Sequence, residues 1–132
     1  MSALQPVEIV SFGYLHGEPP ADTDLVLDLR RHFRDPHVNP ALRYLTAHDE
    51  EVREAVRTTP GITQAVTAAA AAVLAFRSGP SSDRHPVRVA TGCAGGRHRA
   101  ASVALELQTA LAALGVEATV THRDLAKPVV DR

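Results

Sequence analysis

The sequence has few of the residues that hold small proteins together by covalent or aromatic means. It contains one cysteine, no tryptophan and 4% aromatic residues in 132 positions. One cysteine excludes an intramolecular disulfide, so a chain with 45% apolar residues is expected to depend on a single hydrophobic core. We therefore expect one compact domain over residues 1–132, with its core within about 7–127.

Long apolar runs are also absent. No stretch approaches the roughly 20 apolar residues that cross a bilayer, and Met1–Pro6 has neither the basic region nor the apolar segment of a signal peptide. These features predict a cytoplasmic protein with no membrane partner. No cofactor and no metal are expected, because metal-ligand spacing is missing from His16, His32, His37, His48 and His85.

Charge is nearly balanced overall but not along the chain. A net charge of −1 argues against a nucleic-acid binder that relies on bulk electrostatics. Residues 1–76 hold 6 Lys and Arg against 10 Asp and Glu, whereas residues 77–132 hold 8 against 5. This distribution favours a small phosphorylated partner and permits weak, salt-sensitive contact with RNA through Arg97, Arg123 and Lys127.

Apolar patterning alternates between strands and helices. It predicts strands over 7–14, 24–30, 87–91 and 116–122. Helices are predicted over 46–58, from a Thr59 cap with Pro60 in the first turn to the Gly79 break, and from His98 or Arg99 to Gly115. The order predicts an α/β fold, a single compact domain with an open mixed or parallel sheet of about four strands and helices packed on it.

The segment Cys93–Arg99 carries the strongest functional signal. A β-branched run leads into two glycines, a basic residue, a histidine and an arginine, and a helix-forming stretch follows. Paired glycines let backbone N–H groups turn toward one point, and a helix start adds free N–H groups and a positive dipole end. We expect this loop to bind a phosphate ion or a small phosphorylated sugar, with Arg99 as a bidentate fork.

The motif and its surroundings resemble a known family. Gly92–Arg99 is similar to the Gly-Cys-Thr-Gly-Gly-basic-His-Arg signature of the carboxy-terminal domain of the RNase adapter protein RapZ. Ser11–Gly17 resembles that family's Ser-Phe-Gly-aromatic opening, Asp28–Arg30 its Asp-Val-Arg, and His122–Arg123 its late His-Arg pair. These anchors occur in the same order over most of the chain.

The resemblance implies a sensor of glucosamine 6-phosphate that binds small RNA, self-associates as a homo-oligomer and acts on a regulated protein. The family joins this domain to an amino-terminal P-loop domain, but no Gly-x-x-x-x-Gly-Lys-Ser/Thr occurs here, so nucleotide binding is not expected. His37 aligns with a ligand-side histidine after one inserted residue. The expected ligand site comprises Cys93, Ala94, Gly95, Gly96, Arg97, His98, Arg99, Asp28, Arg30 and His37.

Two departures from the family pattern concern hydroxyl groups. Ala94 stands where the family has threonine, and Ala100 stands where it has serine. Two groups able to bond a phosphate or a sugar are therefore missing. The family's apolar-Pro-Asn-Pro run is replaced by Arg31–Pro36.

Two other function classes are compatible with the sequence. Cys93 and Arg99 have the Cys-x5-Arg spacing of cysteine-dependent phosphatases, in which a thiolate attacks phosphorus and Asp28 or Asp35 would protonate the leaving group. Under this phosphatase hypothesis, Cys93 and Arg99 are the catalytic residues. The second class is a structural interaction module, since alanine-rich helices can pack against partners.

Overall fold

The computed structural model describes residues 4–131 and confirms the α/β class. Its strands and α-helices are, in chain order, β1 (Val7–Gly13), β2 (Leu25–Asp28), α1 (Glu50–Arg57), α2 (Ile62–Arg77), β3 (Arg88–Cys93), α3 (Arg99–Ala113) and β4 (Ala118–His122). Within the described part, no single helix is long and apolar enough to span a membrane; only α1 and α2 together reach that size, and they meet at 84°.

The four strands form one parallel sheet in the order β2-β3-β1-β4. The sequence predicted a mixed or parallel sheet, and the structure shows that it is parallel. One sheet face carries Val7, Ile9 and Val89, which pack against α2 and α3 in the main core. Helix α1 packs against α3, and Val56 joins a second core cluster with Cys93. The helices thus pack on the sheet face that carries Val7, Ile9 and Val89 and on the end of β3 at Cys93.

The strand order places a crevice at the carboxyl ends of β1 and β3. The chain leaves β1 toward β2 at one edge of the sheet, and leaves β3 toward β4 at the other edge. Neighbouring parallel strands whose connections depart in opposite directions form the switch point where α/β proteins bind ligands. The loop that follows Cys93 lies at this point.

Glycines let the two strand ends approach at backbone distance. A Cβ added to Gly13 would lie 2.5 Å from the carbonyl carbon of Gly95, and one added to Gly96 would lie 2.7 Å from the Gly13 nitrogen. Gly96 also has φ +76°, which side-chain-bearing residues rarely adopt. The paired glycines therefore allow both the turn and the close contact.

The buried carboxylate of Asp124, which follows β4, bonds to the same point of contact. Asp124, fully buried just after β4, accepts the Gly13 amide at 2.7 Å. Its oxygens also lie 2.9 Å from Arg123 Nη2 and 2.6 Å from Lys127 Nζ. Burial alone raises the pKa of Asp124, but the bonds from Arg123, Gly13 and Lys127 lower the pKa to about 2. The carboxylate is therefore charged at neutral pH.

Several predicted element boundaries were wrong, including the start of α1, which lies at Glu50 and not at Thr46. Thr59 and Pro60 do not open α2; the helix begins at Ile62, and Gly61 at its N-cap has φ 94°. The Thr59 hydroxyl instead donates backward to the Ala55 carbonyl at 2.8 Å, so it satisfies the end of α1. Strand β3 also runs to Cys93, two residues beyond the predicted end, because Gly92 leaves room for the Phe12 ring.

Gly96→Ala tests the close approach of the strand ends, with Gly115→Ala as a matched control. Both glycines have φ +76°, but a Cβ on Gly115 meets nothing within 4 Å. We expect about 1 kcal/mol of destabilisation for Gly115→Ala from backbone strain alone, and about 1–3 kcal/mol more for Gly96→Ala from the added clash. Urea unfolding measures both. Equal losses would contradict the contact.

The Asp124 cluster predicts an acid-sensitive stability component. Because the pKa of Asp124 is about 2 in the folded chain and 3.8 ordinarily, the unfolded chain binds more protons between these values. Stability from this group is complete above about pH 4 and is lost as pH falls through about 2, on the order of 2 kcal/mol in total. Unfolding of the Asp124→Asn variant across pH 2–6 should lack this component. Parallel curves for the two proteins would contradict it.

Candidate anion-binding site

Cys93 organises the loop between β3 and α3. Its Sγ atom accepts the N–H groups of Gly96 and Ala100, each at 3.3 Å, and its side chain is buried. The sulfur thus lies inside the turn, bonded to backbone on both sides. This places Cys93 as a support of the loop's shape.

Several other loop amides remain unused. Within residues 4–131, the N–H groups of Gly95, Arg97, His98 and Arg99 have no hydrogen-bond acceptor. They lie at the start of the 15-residue helix α3, whose first residue is Arg99. Free N–H groups at the positive end of a helix dipole are suited to an anion.

The Arg99 guanidinium is engaged within the protein rather than left open as a fork. Its Nη1 atom donates to the carbonyl oxygens of Leu29 at 2.9 Å, Arg30 at 3.1 Å and Phe33 at 3.0 Å. Its Nη2 atom lies 3.1 Å from Asp35 Oδ2. Arg99 is 3% exposed, and only Nε lacks a partner within the described chain. Its visible role is to hold residues 29–35 against the start of α3.

His98 is likewise tied to another segment. Its Nε2 atom lies 2.8 Å from the Leu45 carbonyl oxygen, and because a carbonyl only accepts, Nε2 carries the proton. Burial lowers the pKa of His98 below its ordinary value, so the ring is neutral at pH 7. Its side chain contributes no positive charge to the loop.

A cavity of about 10 Å³ lies over the loop. Five of its lining residues belong to the predicted ligand site, and three, Asp35, Val129 and Val130, do not. The lining residues are Cys93, Gly95, Arg97, His98, His37, Asp35, Val129 and Val130. The structure thus places His37 beside the loop, although 56 or more positions separate them. No local pattern marks Val129 and Val130, and the Asp35-Pro36 pair indicates only a turn.

Asp28 and Arg30 lie apart from that cavity. They line an open groove at the carboxyl end of β2 together with Arg31 and His32. Arg30 bonds Asp28 through Nε at 3.0 Å and Nη2 at 2.7 Å, and its guanidinium lies 3.5 Å from the Tyr14 ring centroid. Hydrogen bonding from Arg30 lowers the pKa of Asp28. Both side chains are about half exposed.

The three residues expected to contact RNA are brought into one region. Arg97 donates to the carbonyl oxygens of Tyr44 at 2.8 Å and Lys127 at 3.0 Å, while Arg123 and Lys127 both pair with Asp124. Each of these cations therefore has partners within the chain. RNA binding and self-association stay predictions.

The contacts of Arg99 differ from those of the arginine in a phosphatase loop. Among the described residues, no three His, Cys, Asp or Glu side chains are grouped to hold a metal ion. A phosphatase loop needs its arginine to bind the equatorial phosphate oxygens, whereas the Arg99 η nitrogens contact three carbonyls and Asp35. The Arg99 η nitrogens are therefore engaged by the protein itself in this arrangement.

Comparison with known proteins finds relatives that share one description, nucleotide-binding protein. The chain is 39% identical over 120 residues to a nucleotide-binding protein of Thermobifida fusca, covering 90% of this chain and 40% of the relative. A nucleotide-binding protein of Parafrankia is 40% identical over 120 residues, with 90% and 41% covered. One of Streptomyces coelicolor is 38% identical, with 90% and 40% covered. The chain thus spans about 40% of the length of these relatives.

The family model for the RapZ C-terminal domain matches residues 5–126. That match includes every strand and helix described above, the loop after β3 and Asp124. The anchors from Ser11 to Arg123 fall within it. The chain therefore belongs to the RapZ C-terminal domain family.

Proposed function

We propose that this chain is a sensor domain that binds a small phosphorylated sugar, of the glucosamine 6-phosphate class, at the loop Cys93–Arg99. The observation that carries the proposal is the set of unused amides at Gly95, Arg97, His98 and Arg99, located at the switch point of the sheet. Membership of the RapZ C-terminal domain family supports it. The relatives' nucleotide-binding names belong to proteins of which this chain spans about 40%.

The phosphate group would be held by backbone rather than by buried side-chain charge. The free loop amides lie in the residues that lead into α3 and include its first residue, Arg99, and the half-buried Arg97 is the cation in the loop that solvent still reaches. Amides fixed by Cys93 and by the Gly13 contact need little reorganisation when an anion binds. Arg99 acts as a positioning residue in this scheme, with its Nε as the remaining donor.

The sugar would extend from the loop toward the neighbouring strand end. Arg99 joins the two places, since its Nη1 atom bonds the Arg30 carbonyl oxygen. Asp28 supplies carboxylate oxygens for hydroxyl or ammonium groups, and Arg30 fixes that carboxylate from one side. A protein that reads ligand occupancy would then contact the adjoining surface.

Calorimetric titration of the wild-type chain and Cys93→Ser separates the sensor from a phosphatase. We expect glucosamine 6-phosphate and inorganic phosphate to bind both proteins with similar Kd, because a serine oxygen can accept the Gly96 and Ala100 amides as sulfur does. Ligand at about 100 times its Kd should raise the unfolding free energy by about 2.7 kcal/mol. Neither protein should release phosphate from the sugar or from an aryl phosphate.

Unphosphorylated glucosamine is the control ligand and should not bind measurably. Failure of both phosphate compounds to bind the wild-type chain would overturn the proposal. Phosphate release that disappears in Cys93→Ser would favour the enzyme instead, because the hydroxyl is a poor nucleophile at neutral pH.

Ala94→Thr tests whether the missing hydroxyl at the loop weakens ligand binding. Ala94 is half-buried at the loop's start, whereas Ala100 is fully buried in the core. We expect the threonine hydroxyl to add about 0.5–1.5 kcal/mol to sugar-phosphate binding, roughly a twofold to tenfold decrease in Kd. Ala94→Val has the same shape without the hydroxyl and should give no gain. A Thr variant that matches the Val variant would contradict this role.

A further inference from the structure

The chain after β4 passes over the candidate anion-binding loop. We infer that residues 126–130, here called the strap, close this site and must move aside before an anion can enter. The strap's half-buried Val129 and Val130 line the cavity together with Cys93, Gly95 and Arg97. The inference rests on the proposed function, since it concerns access to the same loop.

The cavity over the loop is too small for a phosphate group. Its volume of about 10 Å³ is close to the minimum that admits one water molecule. A phosphate group has five heavy atoms, so it does not fit while Val129 and Val130 stay in place. Gly95, Arg97 and His98, whose amides are free, line this cavity, so an anion bound there requires part of the wall to move.

The strap is the part of the cavity wall that can be displaced most easily. Asp124 is fully buried and Leu125 is packed against Ala47 and Ala101, so the chain is anchored up to that point. Residues 126–128 are exposed and have no strand or helix. The other walls belong to β3, to the loop or to residues 35–37, and Asp35 is held by Arg99. Displacement of 126–130 would break the Arg97–Lys127 and Lys127–Asp124 contacts and would leave every strand and helix intact.

Arg97 connects the strap to the loop. Its Nη1 atom lies 3.0 Å from the Lys127 carbonyl oxygen and 3.4 Å from that of Leu125. These are bonds to neutral acceptors, and a phosphate oxygen is a stronger acceptor for a guanidinium than a carbonyl is. A bound anion therefore competes for Arg97 and loosens the strap, while the closed strap withholds Arg97 from the anion.

A closed strap lowers apparent affinity. If only a fraction of molecules is open, the apparent Kd is the intrinsic Kd divided by that fraction. An open population of about 10% would raise Kd about tenfold. Weakening the strap should consequently tighten binding, which is the opposite of the effect of removing a ligand contact.

The double variant Val129→Ser/Val130→Ser tests this, with Leu114→Ser as a matched control. Leu114 is 54% exposed and lies beyond the end of α3. We expect the double variant to bind inorganic phosphate about threefold to tenfold more tightly than wild type, and Leu114→Ser to bind as wild type does. Urea unfolding of all three proteins shows whether the comparison is between equally folded chains.

Thiol labelling provides a readout that needs no ligand. Cys93 is the chain's only cysteine, is 2% exposed and lines the same cavity. Its reaction with an aromatic disulfide reagent should be severalfold faster in the double variant and unchanged in Leu114→Ser. In the wild-type chain, hydrogen exchange of the amides of residues 126–130, apart from Pro128, should accelerate when inorganic phosphate is added.

The outcomes separate the strap from the proposed function. Faster labelling without phosphate binding in any variant supports the strap and overturns the proposed function. Phosphate binding with unchanged Kd, labelling and exchange overturns the strap and leaves the proposed function standing. Weaker binding in the double variant also overturns the strap, because Val129 and Val130 would then act as ligand contacts.

Discussion

The backbone contact between Gly13 and Gly95–Gly96 is the constraint on which the site depends. It joins the carboxyl ends of β1 and β3 at a distance that excludes any side chain. Asp124 accepts the Gly13 amide at 2.7 Å, although it lies 111 positions away, and so links the end of β4 to the same point. The loop after Cys93 owes its path to this contact, since it turns immediately above Gly13.

Three arginines hold the irregular segments around that loop. Backbone carbonyls outside helices and strands need donors when water cannot reach them, and a guanidinium supplies several in one plane. The carbonyl partners are Leu29, Arg30 and Phe33 for Arg99; Tyr44, Leu125 and Lys127 for Arg97; and Gly17 and Glu18 for Arg123. The arginines that the sequence concentrates here therefore assemble the site by bonding its backbone carbonyls.

In this arrangement, the side chains that support the loop differ from the backbone groups that are left for a ligand. Cys93 and Arg99 hold the loop from inside, because Cys93 Sγ and the Arg99 η nitrogens bond protein groups. The amides of Gly95, Arg97, His98 and Arg99 have no acceptor among the described residues and would hold the proposed anion, and Arg97 is shared between the loop and the strap. Binding, occupancy sensing and access would then all involve the same few residues, as expected of a domain that reports a ligand without converting it.

Local chemistry in the sequence was sufficient for the strands, the loop and the ends of α3. A nearly continuous apolar run marked β2, an alternating pattern marked β4, and Gly115, with φ +76°, marked the stop of α3. Strand order, the partners of Arg99 and the strap over the loop came only from the tertiary structure. The reason is physical: the Arg99–Leu29 bond joins positions 70 apart, and which carbonyl a guanidinium meets depends on how loops pack. The Thr59 hydroxyl shows the same limit, because its choice of Ala55 depends on how α1 ends, and nothing in its own sequence neighbourhood specifies that.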